Sequence, residues 1–598
     1  MSPLGGDAPL EKKVANYLAW DKNEKTRHEI EELLKQDNAD ALRARMNGRL
    51  TFGTAGIRAP MGGGFARLNE LTIIQVSHGF ATHILNELKG REPVGVAIGY
   101  DGRYNSKRFA DLAANVFIRN RIPVYIFSRI VATPLVSWAT AQLKCDAGLM
   151  ITASHNPKED NGYKAYWSNG AQILGPHDKL IVECAEAEPE PRDEYWDTSS
   201  LADSPLFHSA DPTIDDYYKA ETTLNYFKDL NASCPLKFTY SAFHGVGYEW
   251  TMRMLREFGF RDEFIFSVLE QQEPNPDFPT IPMPNPEEGA RVLSLSMKRA
   301  DETGSSYIFA NDPDADRLQL AERKQNGEWD VLTGNEMGTL LLWWVWKNWR
   351  AAHPDAPLDK IVFLNSAVSS QVAATMAKME GFKNEITLTG FKWMGNRAHE
   401  LRQEGMLIPL AWEESIGFMP GNTLEKDGVL AAGMFAEIAA FLHHNGSNMR
   451  QQLYDIYSKY GFHLVRSSYW IVPNPGVTKE IFDSLRVDGK YRSQVGKHVV
   501  ATARDLCVGV DTSYPDSQPR LPVTPSGEML TLTLENGSLV TLRASGTEPK
   551  LKYYIELKTA PGKSKDELGS ILDELTSLEK DVVDGLLQPA HFGLIPRK

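Results

Sequence analysis

A serine ahead of His155-Asn156-Pro157, three aspartates at alternate positions and an arginine leading a Ser-Gly-Thr turn are the residues here whose types and spacing can do chemistry. Taken alone, Ser154 reads as part of a turn, because Ser and Asn beside Pro favour turns. Its hydroxyl is a weak nucleophile unless a neighbour activates it or stabilises the charge it acquires. Asp312, Asp314 and Asp316 can supply that neighbour. Carboxylates at alternate positions of an extended loop can converge on one side, which is costly without a cation, and Pro313 stops a helix from continuing there. Oxygen-only donors with no histidine nearby suit a hard ion such as Mg2+, and the Gly and distal Glu of a calcium loop are missing. The run Arg543-Ala544-Ser545-Gly546-Thr547-Glu548-Pro549-Lys550 combines a guanidinium fork, hydroxyl donors and a glycine that lets backbone N–H groups approach. Those are the parts of a phosphate cradle.

Other residues carry weaker signals. Glu413 and Ser415 offer an acceptor and a donor for sugar hydroxyls, while Lys392 and Lys426 can neutralise phosphate or assist proton transfer. Each of these also fits a helix cap or a surface charge. Gly53-Thr54-Ala55-Gly56-Ile57-Arg58 is a glycine-punctuated turn ending in a cation. Gly245-Val246-Gly247 lacks the full Gly-x-Gly-x-x-Gly spacing, so no nicotinamide cofactor is expected.

The elements that must position these residues follow one plan. A β-rich apolar segment runs into a polar turn, with helical material between such pairs, which predicts α/β domains. Val94–Tyr100 meets Asp101-Gly102-Arg103, and Ala147–Thr152 meets the Ser154 turn. Tyr307–Ala310 meets the aspartate loop, Ile386–Leu388 meets Thr389-Gly390-Phe391-Lys392, and Leu407–Ala411 meets Glu413-Glu414-Ser415. Each motif then sits where a strand ends, the place where ligands of open α/β sheets bind. The last stretch differs: Leu530, Leu532 and Leu534 alternate with threonines up to Asn536-Gly537, a hairpin signal, and a helix follows from Leu568 to Leu578. That predicts an α+β domain with an antiparallel sheet.

Length and composition set the frame. A chain of 598 residues exceeds what one core organises, so several domains are expected. The predicted divisions are 1–210, 211–325, 326–465 and 466–598. With 42% hydrophobic and 24% charged residues the chain reads as globular. The apolar run Met337–Trp346 is too short to span a bilayer and reads as a buried helix. No targeting signal is visible at the amino terminus, so a cytoplasmic location is expected. Four widely spaced cysteines predict neither disulfides nor a Cys-x-x-Cys metal site. A net charge of −14 disfavours nucleic acid and anionic membrane as partners. A monomer acting on small molecules is expected.

Together these motifs resemble the α-D-phosphohexomutase superfamily, in order and over nearly the whole chain. Thr152-Ala153-Ser154-His155-Asn156-Pro157 with Asn161-Gly162-Tyr163-Lys164 resembles its active-site loop. Asp312-Pro313-Asp314-Ala315-Asp316-Arg317 resembles its metal loop, Glu413-Glu414-Ser415 its sugar loop and Arg543–Lys550 its phosphate loop. The resemblance implies four domains around a central cleft, three related α/β units and a distinct α+β fourth. It implies Ser154 as phosphoserine, and Asp312, Asp314 and Asp316 with Ser154 as Mg2+ ligands. Lys164 and His155 would be acid/base or charge-stabilising groups, with Arg58 and Arg317 beside the transferring phosphoryl. Substrate contacts would come from Thr389, Gly390, Lys392, Glu413, Ser415, Lys426, Arg543, Ser545, Gly546, Thr547 and Lys550. Trp20-Asp21-x-Asn23-x-x-Thr26, Gly53–Arg58 and Trp412–Met419 look most like the phosphopentomutase branch, whose members also interconvert glucose phosphates. The implied activity moves a phosphoryl group between C1 and the C5 or C6 hydroxyl of a sugar, with glucose 1,6-bisphosphate as activator. The alternatives are a glucose 1,6-bisphosphate synthase using the same serine, and a phosphosugar sensor without turnover.

Overall fold

A computed structural model describes residues 7–597 apart from 488, 526 and 546–548. The chain divides into two compact units, one of Met1–Met337 and Gly390–Gly446, the other of Gly338–Thr389 and Ser447–Lys598.

The first unit opens with helices Ala8–Trp20, Glu24–Lys35 and Ala39–Met46. The break expected near Asp37 is present, with Asp37 left-handed at φ 51 and Asn38 capping the next helix. Trp20–Thr26 turns out to be a helix corner. Asn23 caps Glu24–Lys35 and donates to Glu70, while buried Asp21 accepts from the Thr26 hydroxyl.

A six-stranded sheet follows, ordered in space Ile57–Pro60, Asp160–Trp167, Ala147–Ile151, Val96–Tyr100, Val124–Ile126, Phe207–Ser209. Its middle is parallel, and Asp160–Trp167 runs antiparallel to both neighbours. Val96–Tyr100 and Ala147–Ile151 are buried along their whole length, as strands covered on both faces must be. Helices Ser106–Arg119 and Thr133–Gln142 pack on them.

A five-stranded sheet is ordered Trp329–Val331, Leu318–Arg323, Tyr307–Asn311, Phe238–Ser241, Ile265–Ser267. Both sheets release a motif-bearing loop at the carboxyl end of an interior strand: 152–157 after Ile151 and 312–317 after Asn311. The unit also holds helices Phe391–Gln403 and Gly428–His444, and a hairpin of Ala411–Glu413 with Gly417–Met419. The strand therefore starts where Leu407–Ala411 was expected to end. Glu413 is its last residue, and left-handed Ile416 (φ 66) closes the turn.

In the second unit, Val362–Ser366 pairs in parallel with Lys383–Thr387. An antiparallel sheet is ordered Gln494–Val495, His498–Asp505, Met529–Leu534, Leu539–Ala544, Lys550–Lys558, His463–Ile471, Ile595–Pro596. The Asn536-Gly537 hairpin forms as expected, with Gly537 at φ 82, and helix Leu568–Val582 packs against the sheet. The run Met337–Trp346 lies inside helix Gly334–Ala352, and among the described residues no helix is long and apolar enough to cross a membrane.

Candidate active site

Ser154 sits three residues past the end of Ala147–Ile151, 1% exposed and left-handed at φ 54. That backbone region is uncommon for a residue with a Cβ, so the surroundings must hold it there. Its Oγ donates to Asp312 Oδ2 at 2.8 Å and lies 3.2 Å from His155 Nδ1. The serine and the acidic loop thus meet, although 158 positions separate them in the chain.

The three aspartates converge by a route that alternation in an extended loop does not describe. The segment is a turn: Ala315 N–H donates to Asp312 C=O at 2.8 Å, and Ala315 is left-handed at φ 56. Packing from below sets this shape. Val246 N–H donates to Pro313 C=O at 2.8 Å, and a Cβ on Gly245 would stand 2.2 Å from Pro313 Cα. Gly245 therefore serves close backbone approach to Pro313, while Gly247 leaves room for the Tyr240 hydroxyl and the Asn311 side chain.

One carboxylate oxygen from each aspartate lies within 4.8 Å of the others, and all three side chains are buried. Oδ1 of Asp314 and Oδ1 of Asp316 are buried without a hydrogen-bond partner. Burial pushes Asp312 well above the usual carboxylate range, and Asp314 and Asp316 add to that push. Orphaned oxygens, clustered carboxylates and the absence of soft donors fit a hard divalent cation, which would keep all three ionised. These residues can hold a metal ion.

Cations ring the loop. Lys164, on Asp160–Trp167, is 0% exposed and its Nζ lies 2.7 Å from both Asp314 Oδ2 and Asp316 Oδ2. Burial draws its ammonium down, but the two carboxylates more than offset this and hold it above its ordinary value. Lys426 Nζ is 3.2 Å from Asp316 Oδ2 and 3.0 Å from Glu425 Oε1. Arg58 donates to Asn156 Oδ1 at 3.0 Å, and Arg317 Nη1 pairs with Glu287 at 2.6 Å. Enclosure drops the His155 imidazole well below its ordinary value, and Arg317 and Arg58 lower it further.

The expected sugar contacts in this unit also cluster. Glu413 accepts from Gly390 N–H and stands 3.5 Å from the Ser415 hydroxyl. Burial, with Glu414 beside it, pushes its carboxyl up to about 7. Lys392 reaches Gly53 C=O at 3.4 Å, and burial lowers its ammonium. The remaining residues belong to the second unit. Thr389 follows Lys383–Thr387, Arg543 stands opposite Lys552 in the sheet, and Ser545 N–H donates to Lys550 C=O at 2.9 Å. Gly546 and Thr547 lie outside the described residues.

Three buried residues at the site were not singled out by their types: Asp101 and Arg103, beneath the Ser154 loop, and Glu425, beside Lys426. The available signal was the polar turn Asp101-Gly102-Arg103 closing an apolar strand, which marks a strand end without saying what the arginine grips.

Comparison with known proteins identifies the family. Residues 49–192, 215–327 and 333–460 match the phosphoglucomutase/phosphomannomutase alpha/beta/alpha domains I, II and III. The chain is 43% identical to the Homo sapiens phosphopentomutase, covering 100% of this chain and 99% of that one. It is 41% identical to the Homo sapiens glucose 1,6-bisphosphate synthase, covering 99% and 96% respectively. The open form of parafusin, a Paramecium phosphoglucomutase, shares the fold with a TM-score of 0.64 at 19% identity, covering 90% of this chain and 96% of its own. Three α/β domains and a further carboxyl-terminal sheet domain, with relatives of this likeness along the full length, place the chain in the α-D-phosphohexomutase superfamily, in the branch of the phosphopentomutases, and make it a mutase, an isomerase.

Proposed function

We propose that this mutase interconverts ribose or deoxyribose 1-phosphate with the 5-phosphate and also acts on glucose 1-phosphate and 6-phosphate, using phosphorylated Ser154. The observation that carries this reading is the 2.8 Å contact between Ser154 Oγ and Asp312, inside a buried set of three carboxylates and several cations. Phospho-Ser154 donates its phosphoryl group to the free hydroxyl of a bound sugar monophosphate. The Oγ–P bond breaks, a sugar O–P bond forms, and the hydroxyl proton leaves to a base. The bisphosphate then turns round, and its other phosphoryl group returns to Ser154 Oγ. Glucose 1,6-bisphosphate primes the idle, unphosphorylated serine.

The charge gathered on the phosphoryl oxygens is met by groups already in place, so little reorganisation is needed as it develops. Lys164 and Arg58 carry positive charge to the serine, and Arg317, tethered by Glu287, presents its guanidinium from the metal loop. His155 Nδ1 stands 3.2 Å from Oγ, within reach of a proton there. Asp312, Asp314 and Asp316 would hold Mg2+, which supplies further charge neutralisation at the transferring group. Glu413, Ser415 and Lys392 are suited to the sugar hydroxyls and the distal phosphate, and Arg543, Ser545, Gly546, Thr547 and Lys550 to a phosphate cradle. A cytoplasmic monomer acting on small sugar phosphates fits this reading.

The test compares turnover of ribose 1-phosphate and glucose 1-phosphate with Mg2+ and glucose 1,6-bisphosphate present. Faster turnover of the pentose supports the reading, and a strong hexose preference overturns the branch-level substrate while leaving the chemistry. Ser154→Ala is expected to abolish isomerisation, and substantial retained turnover removes the serine from the mechanism. Likeness to glucose 1,6-bisphosphate synthase favours one second reading, in which the same serine takes its phosphoryl group from an acyl phosphate. Bisphosphate accumulation with an acyl phosphate donor and a hexose monophosphate, in the absence of mutase turnover, decides for that reading.

A further inference from the structure

Ser154 is held from behind by a residue that touches neither its hydroxyl nor the acidic loop. Arg103 has a side chain 1% exposed, and its guanidinium donates to four carbonyls of the serine segment. Nη2 reaches Ser154 C=O and Asn156 C=O at 2.6 Å each, and Nη1 reaches Pro157 C=O at 2.9 Å and Asp160 C=O at 3.2 Å. Its Nε lies 3.2 Å from Asp101 Oδ2. The same Asp101 oxygen accepts from Thr152 Oγ1 at 2.7 Å, and that hydroxyl in turn accepts from Ser154 N–H at 2.9 Å. Asp101 is fixed by Ser106 Oγ at 2.6 Å and by Arg103 N–H at 3.0 Å, and the Phe278 ring covers the guanidinium at 4.9 Å.

Both backbone polar groups of Ser154 are therefore occupied by one connected network: C=O by Arg103 and N–H by Thr152. A residue whose N–H and C=O are both pinned has little freedom in φ and ψ, so the network sets the left-handed φ of 54 that presents Oγ to Asp312. We propose that Arg103, linked through Asp101 to Thr152, is the positioning unit of this enzyme: it fixes the backbone of Ser154 so that Oγ stands where the phosphoryl group is received and released. A lysine cannot replace it, because a single ammonium does not span four carbonyls in a plane as a guanidinium does. The proposal rests on Ser154 being the phosphoryl carrier, and adds what keeps that carrier in line.

The experiment uses the full-length protein and follows two readouts: steady-state kinetics, and the rate at which Ser154 takes up a phosphoryl group from glucose 1,6-bisphosphate, read by intact mass and peptide mapping. Misplacing a reacting atom by about 1 Å costs about 100-fold in rate. Arg103→Lys is expected to lower kcat by about that factor while KM stays within about threefold. Thr152→Val and Thr152→Ser form the deciding pair. Valine keeps the shape and loses the hydroxyl; serine keeps the hydroxyl and loses a methyl. Thr152→Ser is expected to phosphorylate and turn over at least about tenfold faster than Thr152→Val, the reverse of what packing alone gives. If Arg103→Lys fails to fold, this pair still decides. Equal rates for the two Thr152 variants, wild-type kcat in Thr152→Val, or a loss confined to KM overturns the proposal. Wild-type protein that never phosphorylates Ser154 overturns the mutase mechanism itself, so the two failures are distinguishable.

Discussion

Lys164 has no exposed surface and divides its ammonium between Asp314 and Asp316 at 2.7 Å each. Removing one partner of such a buried set leaves uncompensated charge and costs about 3–5 kcal/mol. Lys164→Met is therefore expected to melt well below wild type in a chelator, and calorimetry should show part of the loss recovered in excess Mg2+, which can take over the neutralising role. Glu413 gives a pH prediction. Its carboxyl is raised to about 7, first by burial and then by Glu414, so below that pH it is protonated and, in the role proposed for it, would lose acceptor capacity for sugar hydroxyls. KM should rise as pH falls from about 8 to about 6, and Glu413→Gln should show a flatter KM profile when both proteins are measured with one substrate. The residue types at this site could be read directly, since carboxylate, hydroxyl and guanidinium chemistry follows from side-chain identity. The charge state of Glu413 could not, because desolvation depends on neighbours brought by the fold.

At the level of elements, the acidic loop owes its shape to a turn and a platform. Gly245→Ala would place a methyl 2.2 Å from Pro313 Cα, and the backbone there has no flexible side chain to give way. The expected result is a rise of about tenfold or more in the Mg2+ concentration needed for half-maximal activity, corresponding to about 1.4 kcal/mol of lost affinity. Unchanged Mg2+ dependence would show that the platform does not set the loop. Helix Thr213–Glu221 ends in a buried carboxyl that accepts from Asn422 N–H at 3.0 Å, and burial raises Glu221 to about 8, with Asp427 adding to the shift. The folded state thus keeps the proton on Glu221 over a range in which the unfolded chain has released it. Stability contributed by this group is present at low pH and declines between about 4.5 and about 8, by at most about 1.4 kcal/mol per unit. Glu221→Gln should remove that part of the slope in denaturant midpoints measured at pH 5, 6.5 and 8. Strand and turn placement was legible from apolar segments ending in polar turns. The start of Ala411–Glu413 was displaced from expectation because segment 405–410 leaves helix Phe391–Gln403 as irregular chain in which Leu407 makes only an isolated bridge, and continuous pairing begins at Ala411.

For the whole molecule, all four cysteines are free, and Cys145 and Cys234 are buried. Burial raises the Cys145 thiol to about 12, with Asp146 adding to the shift, so it is protonated and unreactive near neutrality. Denatured protein should take up four alkyl groups without prior reduction, and the melting temperature should not change with reductant. A net charge of −14 coexists with Lys164, Lys426, Arg58, Arg103 and Arg317 gathered about one serine, so bulk charge, which disfavours nucleic acid and anionic membrane, says nothing of this local field. The sequence by itself determined the motif residues, their order, the strand-and-turn plan and the antiparallel carboxyl-terminal hairpin. Periodicity and turn chemistry act over a few adjacent residues and are written in any short window. Only the tertiary structure decided that Ser154 faces Asp312 across 158 positions, that left-handed Ala315 folds three aspartates together, and that Arg103 and Thr152 hold the serine from behind. Those contacts depend on which strands become neighbours in a sheet and which loops leave the same edge, and no local stretch of chain carries that information.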